Sequence, residues 1–97
     1  MNFAHRIMEH LITKVHITSE FNKSYKKLPV NLQNLADKKD QWFRQNAFDP
    51  RLNIHKLKGV LQEYWAYSVN KKYRVLFSFI NNNQAIYYDI GTHDIYK

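Results

Sequence analysis

The sequence has no cysteine, only two glycines, only two prolines and no long apolar run. Without cysteine the chain has neither a disulfide framework, a thiolate nucleophile nor a zinc ribbon, and its redox compartment stays undetermined. Two glycines cannot build a glycine-rich phosphate loop, which disfavours nucleotide hydrolysis. No segment approaches the roughly 18 apolar residues that a membrane-spanning helix needs. We therefore expect a cytoplasmic protein with no membrane partner.

Acidic residues are also few, since 8 Asp and Glu face 15 Lys and Arg and leave a formal charge of +7. Apolar residues make up 44% of the chain and aromatic residues 15%, which is enough for a packed core. A chain of 97 residues has about the length of one small domain. The sequence thus predicts a single domain over residues 1–97 whose basic surface attracts nucleic acid or an acidic protein.

Carboxylates are sparse in the later part of the chain. After residue 50 there are only Glu63, Asp89 and Asp94. A metal-dependent nuclease needs several converging carboxylates, and no four-ligand spacing is present. We therefore predict no catalytic metal and no other cofactor.

The first half of the chain predicts a strand followed by two helices. Lys14–Thr18 alternates as a short strand does, and Thr18 or Ser19 offers an N-cap for a helix that runs to Leu28 and ends at Pro29. A second helix follows from Val30 to Asn46. Its residues with matching helical spacing are Leu32, Leu35, Ala36, Lys39, Trp42 and Phe43.

The second half predicts a loop over residues 51–59 and then three strands, Glu63–Val69, Tyr73–Ile80 and Ala85–Ile90. Short turns make successive strands antiparallel neighbours. The predicted fold class is α+β: a short N-terminal strand, a two-helix hairpin and a three-stranded antiparallel meander, with the helices packed on one face. Residues 1–12 have a weak helical period, which fits an additional turn of helix or an unstructured N-terminal extension.

The middle strand carries one cation that interrupts a hydrophobic run. Tyr73, Val75, Phe77 and Phe79 share one side, while Arg74 lies on the other side with Leu76, Ser78 and Ile80. Arg74 either extends its guanidinium from the strand end to solvent or presents it to a ligand across the open face of the sheet.

Two histidines and several cations supply the groups that cut RNA without a metal. Cleavage by the RNA's own 2′-hydroxyl needs a base, an acid for the leaving 5′-oxygen and positive charge for the phosphate. Histidine exchanges a proton near neutral pH, and His55 and His93 each lie in a predicted loop with a glycine nearby. Lys56, Lys58 and Arg74 can hold the phosphate, and Tyr96 can stack on a base or donate its hydroxyl proton.

The same residues can also be explained without catalysis. A lone loop histidine is more often solvated than catalytic, and we set His5, His10 and His16 aside on that ground. Lys56 and Lys58 are equally typical of a solvated loop edge. An RNA-binding module without catalysis would also carry a basic surface with aromatic residues on exposed strands.

Three segments together resemble the RelE/ParE superfamily of bacterial toxins, particularly its RelE-like and YafQ-like mRNA interferases. They are His55-Lys56-Leu57-Lys58-Gly59, Tyr73-Arg74-Val75-Leu76-Phe77 and Asp89-Ile90-Gly91-Thr92-His93-Asp94-Ile95-Tyr96. The Phe21–Pro29 segment resembles the first helix of that family, and the match covers about residues 14–97. The resemblance implies a toxin of a toxin–antitoxin module that cuts mRNA on the ribosome and blocks translation.

The resemblance also implies site residues and partners. The catalytic group would comprise His55, Lys56, Arg74, His93 and Tyr96, with Arg74 on the scissile phosphate. His93 would serve as acid or base and His55 or Lys56 as the other. The partners would be the ribosome, mRNA and a cognate antitoxin with an acidic or partly disordered segment, in a complex that binds operator DNA through the antitoxin. The implied RNA-binding residues are Lys58, Lys71, Lys72 and Tyr73.

The chain departs from the YafQ-like pattern at two places. Ser68 and Lys72 stand where that branch has a second histidine and an aspartate, and the closing aromatic residue is one position away from its usual spacing. The alternative within the superfamily is a ParE-like protein that poisons DNA gyrase, or a catalytically silent homologue that acts by binding. That branch usually lacks the histidine motif at its end.

Overall fold

Residues 10–96, which the computed structural model describes, form two helices packed on one face of a five-stranded sheet. In chain order the elements are β1 (Lys14–Ile17), α1 (Ser19–Lys26), α2 (Val30–Gln45), β2 (His55–Lys56), β3 (Trp65–Ser68), β4 (Arg74–Asn81) and β5 (Gln84–Gly91). The strand order is β1-β5-β4-β3-β2. The predicted α+β class, the helical hairpin and the meander are confirmed.

Local sequence explains where the helices begin and end. The Thr18 hydroxyl accepts a hydrogen bond from the backbone N–H of Phe21 at 3.1 Å, as an N-cap does, and lysines occupy the last turn of α1. Pro29 then starts α2. The Gln33 side chain donates to the Tyr25 carbonyl at 3.0 Å and ties the two helices together. No helix within residues 10–96 is long and apolar enough to cross a bilayer.

The sheet has two strands more than the predicted meander. β1 pairs with β5 in parallel, with Val15 opposite Ala85, and so becomes one edge of the sheet. At the other edge β2 pairs antiparallel with β3. β2 lies within residues 51–59, which the sequence predicts as a loop. That prediction was wrong for His55 and Lys56, because a two-residue strand is too short to show an alternating pattern.

Residues 10–12 fasten the start of the described chain to the end of α2. The backbone N–H of Ile12 donates to the Arg44 carbonyl and that of Ala47 donates to the His10 carbonyl, at 2.8 and 2.9 Å. The Ile12 side chain is buried. The predicted extension over residues 1–12 otherwise falls on residues 1–9, which lie outside the described part.

Aromatic rings form the centre of the core between the helices and the sheet. Phe43 of α2 is fully buried, and its ring lies within about 5–6 Å, centroid to centroid, of Tyr67 on β3, Phe77 on β4 and Tyr87 on β5. Edge-to-face and offset pairs of this kind stabilise a core beyond the area they bury. This one side chain thus fixes α2 against three successive strands.

A chain of hydrogen bonds crosses this aromatic core. The Tyr67 hydroxyl donates to the Tyr87 hydroxyl at 2.9 Å, which donates to an Asp40 carboxylate oxygen at 2.7 Å. Asp40 also accepts from the guanidinium of Arg44, one turn along α2. Both phenols therefore lose water without losing hydrogen bonds, which removes most of the cost of burying them.

The two buried phenols should make the fold sensitive to alkali. Burial raises the pKa of Tyr67 and of Tyr87 above the value of about 10 that an exposed phenol has. As the pH rises, the phenols of the unfolded chain lose their protons before those of the folded protein. The free energy of unfolding is therefore greatest below pH ~10 and falls as the pH rises above it. We expect two phenols to contribute a slope of ~2.7 kcal/mol per pH unit there, and Tyr67→Phe to remove about half of it. Urea unfolding between pH 8 and 11 measures this slope, and an unchanged slope in Tyr67→Phe would contradict the assignment.

Candidate active site

The face of the sheet that points away from the helices, here called the open face, carries the candidate site. Tyr67 and Phe77 face the helices, so their neighbours Ala66 and Leu76 face the other way. Ala66 and Leu76 are nonetheless buried and lie outside the main core cluster. Other parts of the chain therefore cover these two residues on the open face, and the candidate site residues lie around them.

A β-bulge in β5 determines which residues of that strand reach the open face. Leu76 lies opposite Asp89 and Phe77 lies opposite Tyr87, so Tyr88 is an extra residue on β5. The bulge shifts the alternation by one, as bulges do. As a result Tyr87 and Ile90 both face the helices, where both are buried.

His55 reaches the open face from the β2 edge. It lies opposite Ala66, so its side chain leaves the same face, and it is exposed. Its Nδ1 is 3.0 Å from the backbone carbonyl oxygen of Asn53, which has a left-handed φ of 49°. Because a carbonyl oxygen only accepts, Nδ1 must carry the proton in this contact. The Nε2 lone pair of neutral His55 is then free toward solvent.

Arg74 lies at the start of β4, opposite Ser68 on one side and Gly91 on the other. The side chain is half-buried, and its Nε is shielded from solvent without a hydrogen-bond partner among the described residues. A buried guanidinium N–H without an acceptor is costly. Arg74 thus keeps one shielded N–H unpaired within residues 10–96, while the rest of the side chain is partly exposed.

The C-terminal turn, His93–Tyr96, folds back over the open face beside Arg74. Gly91 shares the face of Arg74, and a Cβ atom built on Gly91 would lie 2.7 Å from Cγ2 of Ile95. The absence of a side chain at Gly91 is therefore what lets the turn pack against the sheet.

This turn brings His93 and Tyr96 to the same region. His93 is 75% exposed, and its Nε2 lies 3.8 Å from an Asp94 carboxylate oxygen, too far for a hydrogen bond. The Tyr96 hydroxyl is buried and, like Nε of Arg74, has no hydrogen-bond partner among residues 10–96. The two unpaired groups therefore belong to β4 and to the turn, which meet at Gly91.

The remaining predicted site residues are more scattered. Lys56 lies opposite Trp65, whose ring packs on the helix side against Phe48, so successive residues send Lys56 and His55 to opposite faces. Tyr73 is half-buried against the main core, which gives its ring a packing role. Lys58, Lys71 and Lys72 are exposed, in the segment before Gly59 and in the turn between β3 and β4.

Two further cations, Lys39 and Arg51, lie near Arg74, although their positions in the sequence did not predict it. A groove of about 410 Å³ opens where β3 ends and β4 begins, and Lys39 and Arg51 line it together with Arg74 and Lys71. The available signal was Lys39, the one charged residue on the inward-facing stripe predicted for α2. Asn53, Ser68, Val69 and Asn70 complete the lining.

No group of three His, Asp or Glu side chains that could hold a metal ion occurs in the described part of the chain. The predicted site residues instead carry imidazole, guanidinium, ammonium and phenol groups. These groups can bind a phosphodiester and move protons at it.

Known structures with the same fold include bacterial toxins. YafQ from E. coli superposes with a TM-score of 0.70 at 13% sequence identity, over 84% of this chain and 94% of YafQ. The toxin–antitoxin complex RelBE2 from Mycobacterium tuberculosis gives 0.72 at 13% identity, over 86% and 93%. A YoeB/ParE toxin from Agrobacterium tumefaciens gives 0.70 at 13% identity, over 84% and 99%.

These likenesses confirm the RelE/ParE-type fold that the three sequence segments indicate. They extend over most of this chain and nearly all of each toxin. No family model matches the sequence, and no curated protein does. The identities are low enough that the likeness shows the fold alone, and function has to be argued from the site.

Substituting Gly91 tests whether the C-terminal turn depends on the close contact between Gly91 and Ile95. In Gly91→Ala the new Cβ would meet Cγ2 of Ile95, which a β-branched side chain cannot easily swing away. We expect a loss of about 1–2 kcal/mol in the free energy of unfolding and changed amide chemical shifts over residues 92–96. The double variant Gly91→Ala/Ile95→Ala should restore the shifts, with Ile95→Ala alone as the control. Unchanged shifts in Gly91→Ala would mean that the turn does not pack on Gly91.

Proposed function

We propose that this chain is the toxin of a toxin–antitoxin module and that it cuts mRNA on the ribosome without a metal ion. The observation that carries the proposal is the pairing of Arg74 with Gly91, because the turn bearing His93 packs on Gly91, directly opposite Arg74 on the neighbouring strand. His55 shares the same open face from the β2 edge. The fold shared with YafQ, RelE-type and YoeB-type toxins supports the same conclusion.

Arg74 holds the phosphate in this proposal. A phosphate oxygen would accept from the guanidinium, because Arg74 is only half-buried and lines an open groove. A guanidinium can also contact two oxygens at once and offset the charge that grows on the phosphorane in the transition state. Tyr96 is partly exposed in the C-terminal turn, where its ring would stack on a base of the bound RNA.

His55 acts as the base and His93 as the acid. Nε2 of His55 removes the proton from the 2′-hydroxyl, and the 2′-oxygen forms its bond to phosphorus. The bond from phosphorus to the 5′-oxygen then breaks, and protonated His93 gives that oxygen its proton. The products are a 2′,3′-cyclic phosphate and a free 5′-hydroxyl. The Lys56 side chain points to the other face of the sheet, so the role of base is assigned to His55. The charge of Lys56 would support RNA binding.

The separation of the strands sets a requirement on the bound state. β2 and β4 are two strand spacings apart, about 10 Å, so RNA has to lie across the open face to meet the groups at both sides. Catalytic hydrogen bonds are often long in the free enzyme and shorten in the substrate complex. The ribosome would supply an mRNA held in that extended form.

A cognate antitoxin would silence the toxin by covering this surface. Its acidic or partly disordered segment would fold over the basic residues around Arg74, and the complex would bind operator DNA through the antitoxin. The chain, with a formal charge of +7, has the charge to attract both this partner and ribosomal RNA. The cytoplasm is where both would be met.

Cleavage on programmed ribosomes tests the proposal directly. Wild type should cut mRNA in the presence of EDTA and leave a cyclic phosphate, and a 2′-deoxy substitution at the cut site should abolish cleavage. His55→Ala, His93→Ala and Arg74→Ala should each slow cleavage by ~10²–10⁴-fold. His16→Ala is the matched control, because His16 lies on β1 and contacts Gln84, away from Gly91. Intact mRNA together with inhibited DNA supercoiling would favour the gyrase-poisoning alternative instead.

A substrate with sulfur in place of the leaving 5′-oxygen separates the two histidine roles. A thiolate leaves without needing a proton, so this substrate should restore the rate of His93→Ala to near that of wild type and leave His55→Ala slow. Rescue of His55→Ala would mean that the acid and base are reversed. Rescue of neither variant would show that His93 does not protonate the leaving group.

A further inference from the structure

We propose that the groove lined by Lys39, Arg51, Lys71 and Arg74, here called the basic groove, binds RNA phosphates next to the one that is cut. The inference rests on the proposed function for the identity of the ligand. It adds a binding site on the side of α2, beyond the open face, with Arg74 as the residue that the two share.

The composition of the basic groove fits a polyanion. Its lining contains four cations and no carboxylate among the described residues. Asn53, Ser68 and Asn70 add neutral groups that can donate to or accept from a sugar or phosphate. A cavity volume of about 410 Å³ leaves room for a nucleotide unit rather than a single ion.

Two of the cations are held in place by an indole ring. The Arg51 guanidinium carbon lies 3.6 Å from the ring centre of Trp42, and Nζ of Lys39 lies 4.0 Å from it. The Asp49 carboxylate accepts hydrogen bonds from Nε and from one terminal nitrogen of Arg51, which fixes this side chain further. Ordering these long side chains in advance lowers the entropy lost when a ligand binds.

The cations also repel one another. Burial, followed by the nearby charges of Lys38 and Arg51, lowers the pKa of Lys39. A bound anion would relieve this repulsion, so the crowding favours occupation of the groove by negative charge.

The donors that remain free favour phosphate over an acidic peptide. Asp49 already occupies Nε and one terminal nitrogen of Arg51, the edge that would grip a carboxylate with two parallel bonds. The other terminal nitrogen and the lysines offer single hydrogen bonds, which suit successive phosphate oxygens. Because Arg74 belongs to both the basic groove and the open face, an RNA backbone bound in the groove would continue to the linkage that is cut.

Salt dependence of RNA binding tests the basic groove. The probe is a ten-nucleotide single-stranded RNA carrying 2′-O-methyl groups, which cannot be cut because the attacking hydroxyl is blocked, and its Kd is measured by fluorescence anisotropy over a range of KCl concentrations. For Lys39→Gln/Arg51→Gln we expect the slope of log K against log salt to become shallower by about 1.4, at roughly 0.7 for each phosphate that the protein no longer neutralises. Lys71→Gln, in an exposed turn where folding is not at stake, should make the slope shallower by about 0.7.

A charge-matched control separates the groove from net charge. Lys14→Gln/Lys23→Gln removes the same two charges from positions on β1 and α1, outside the groove. It should leave the slope unchanged. Equal slopes in the two double variants would overturn the proposal. It would also be overturned if Lys39→Gln/Arg51→Gln lost binding to a polyglutamate peptide and kept RNA binding intact, since that result would assign the groove to a protein segment.

RNA binding in this assay is independent of cleavage. If wild type fails to cut mRNA on ribosomes but the groove variants show the shallower slope, the proposed function fails and the binding site stands. If wild type cuts mRNA and the groove variants keep the full slope, the binding site fails and the proposed function stands.

Discussion

The packing of Phe43 against three strands is the constraint on which the rest of the structure depends. Its ring touches Tyr67, Phe77 and Tyr87, one residue on each of β3, β4 and β5. This packing commits one face of the sheet to the helices. Because side chains alternate, it also leaves every second side chain pointing away from the helices, and Arg74 is on that second face. Stability and the proposed chemistry are thus divided between two sides of the same strands.

Much of this fold could be predicted from local patterns. The cap at Thr18, the break at Pro29 and the alternation along β4 are short-range signals, and each predicted the observed element. The parallel pairing of β1 with β5 could not be predicted in the same way, because it depends on pairing between distant residues. The strand at His55–Lys56 escaped prediction because its pairing partner, and not its own pattern, makes it a strand.

The candidate site was predictable in its residue types more than in its arrangement. His55, Arg74 and His93 stand out in the sequence as proton-transfer and phosphate-binding groups. The bulge at Tyr88 decides that Gly91 faces the same way as Arg74, and nothing in the sequence marks that extra residue. Lys39 and Arg51 meet only because α2 and the loop after it converge on Trp42. Spatial convergence of this kind needs the tertiary structure.

The parallel pair formed by β1 and β5 has a consequence for how the molecule is made. Thr13 and Asn83, which hydrogen-bond at the start of this pair, are 70 residues apart in the chain. During translation the first strand has no edge to join until residues 84–87 have left the ribosome, and closing so long a loop slows folding. The bulge and the C-terminal turn come later still in the chain. An incomplete nascent chain would therefore lack the assembled proposed site.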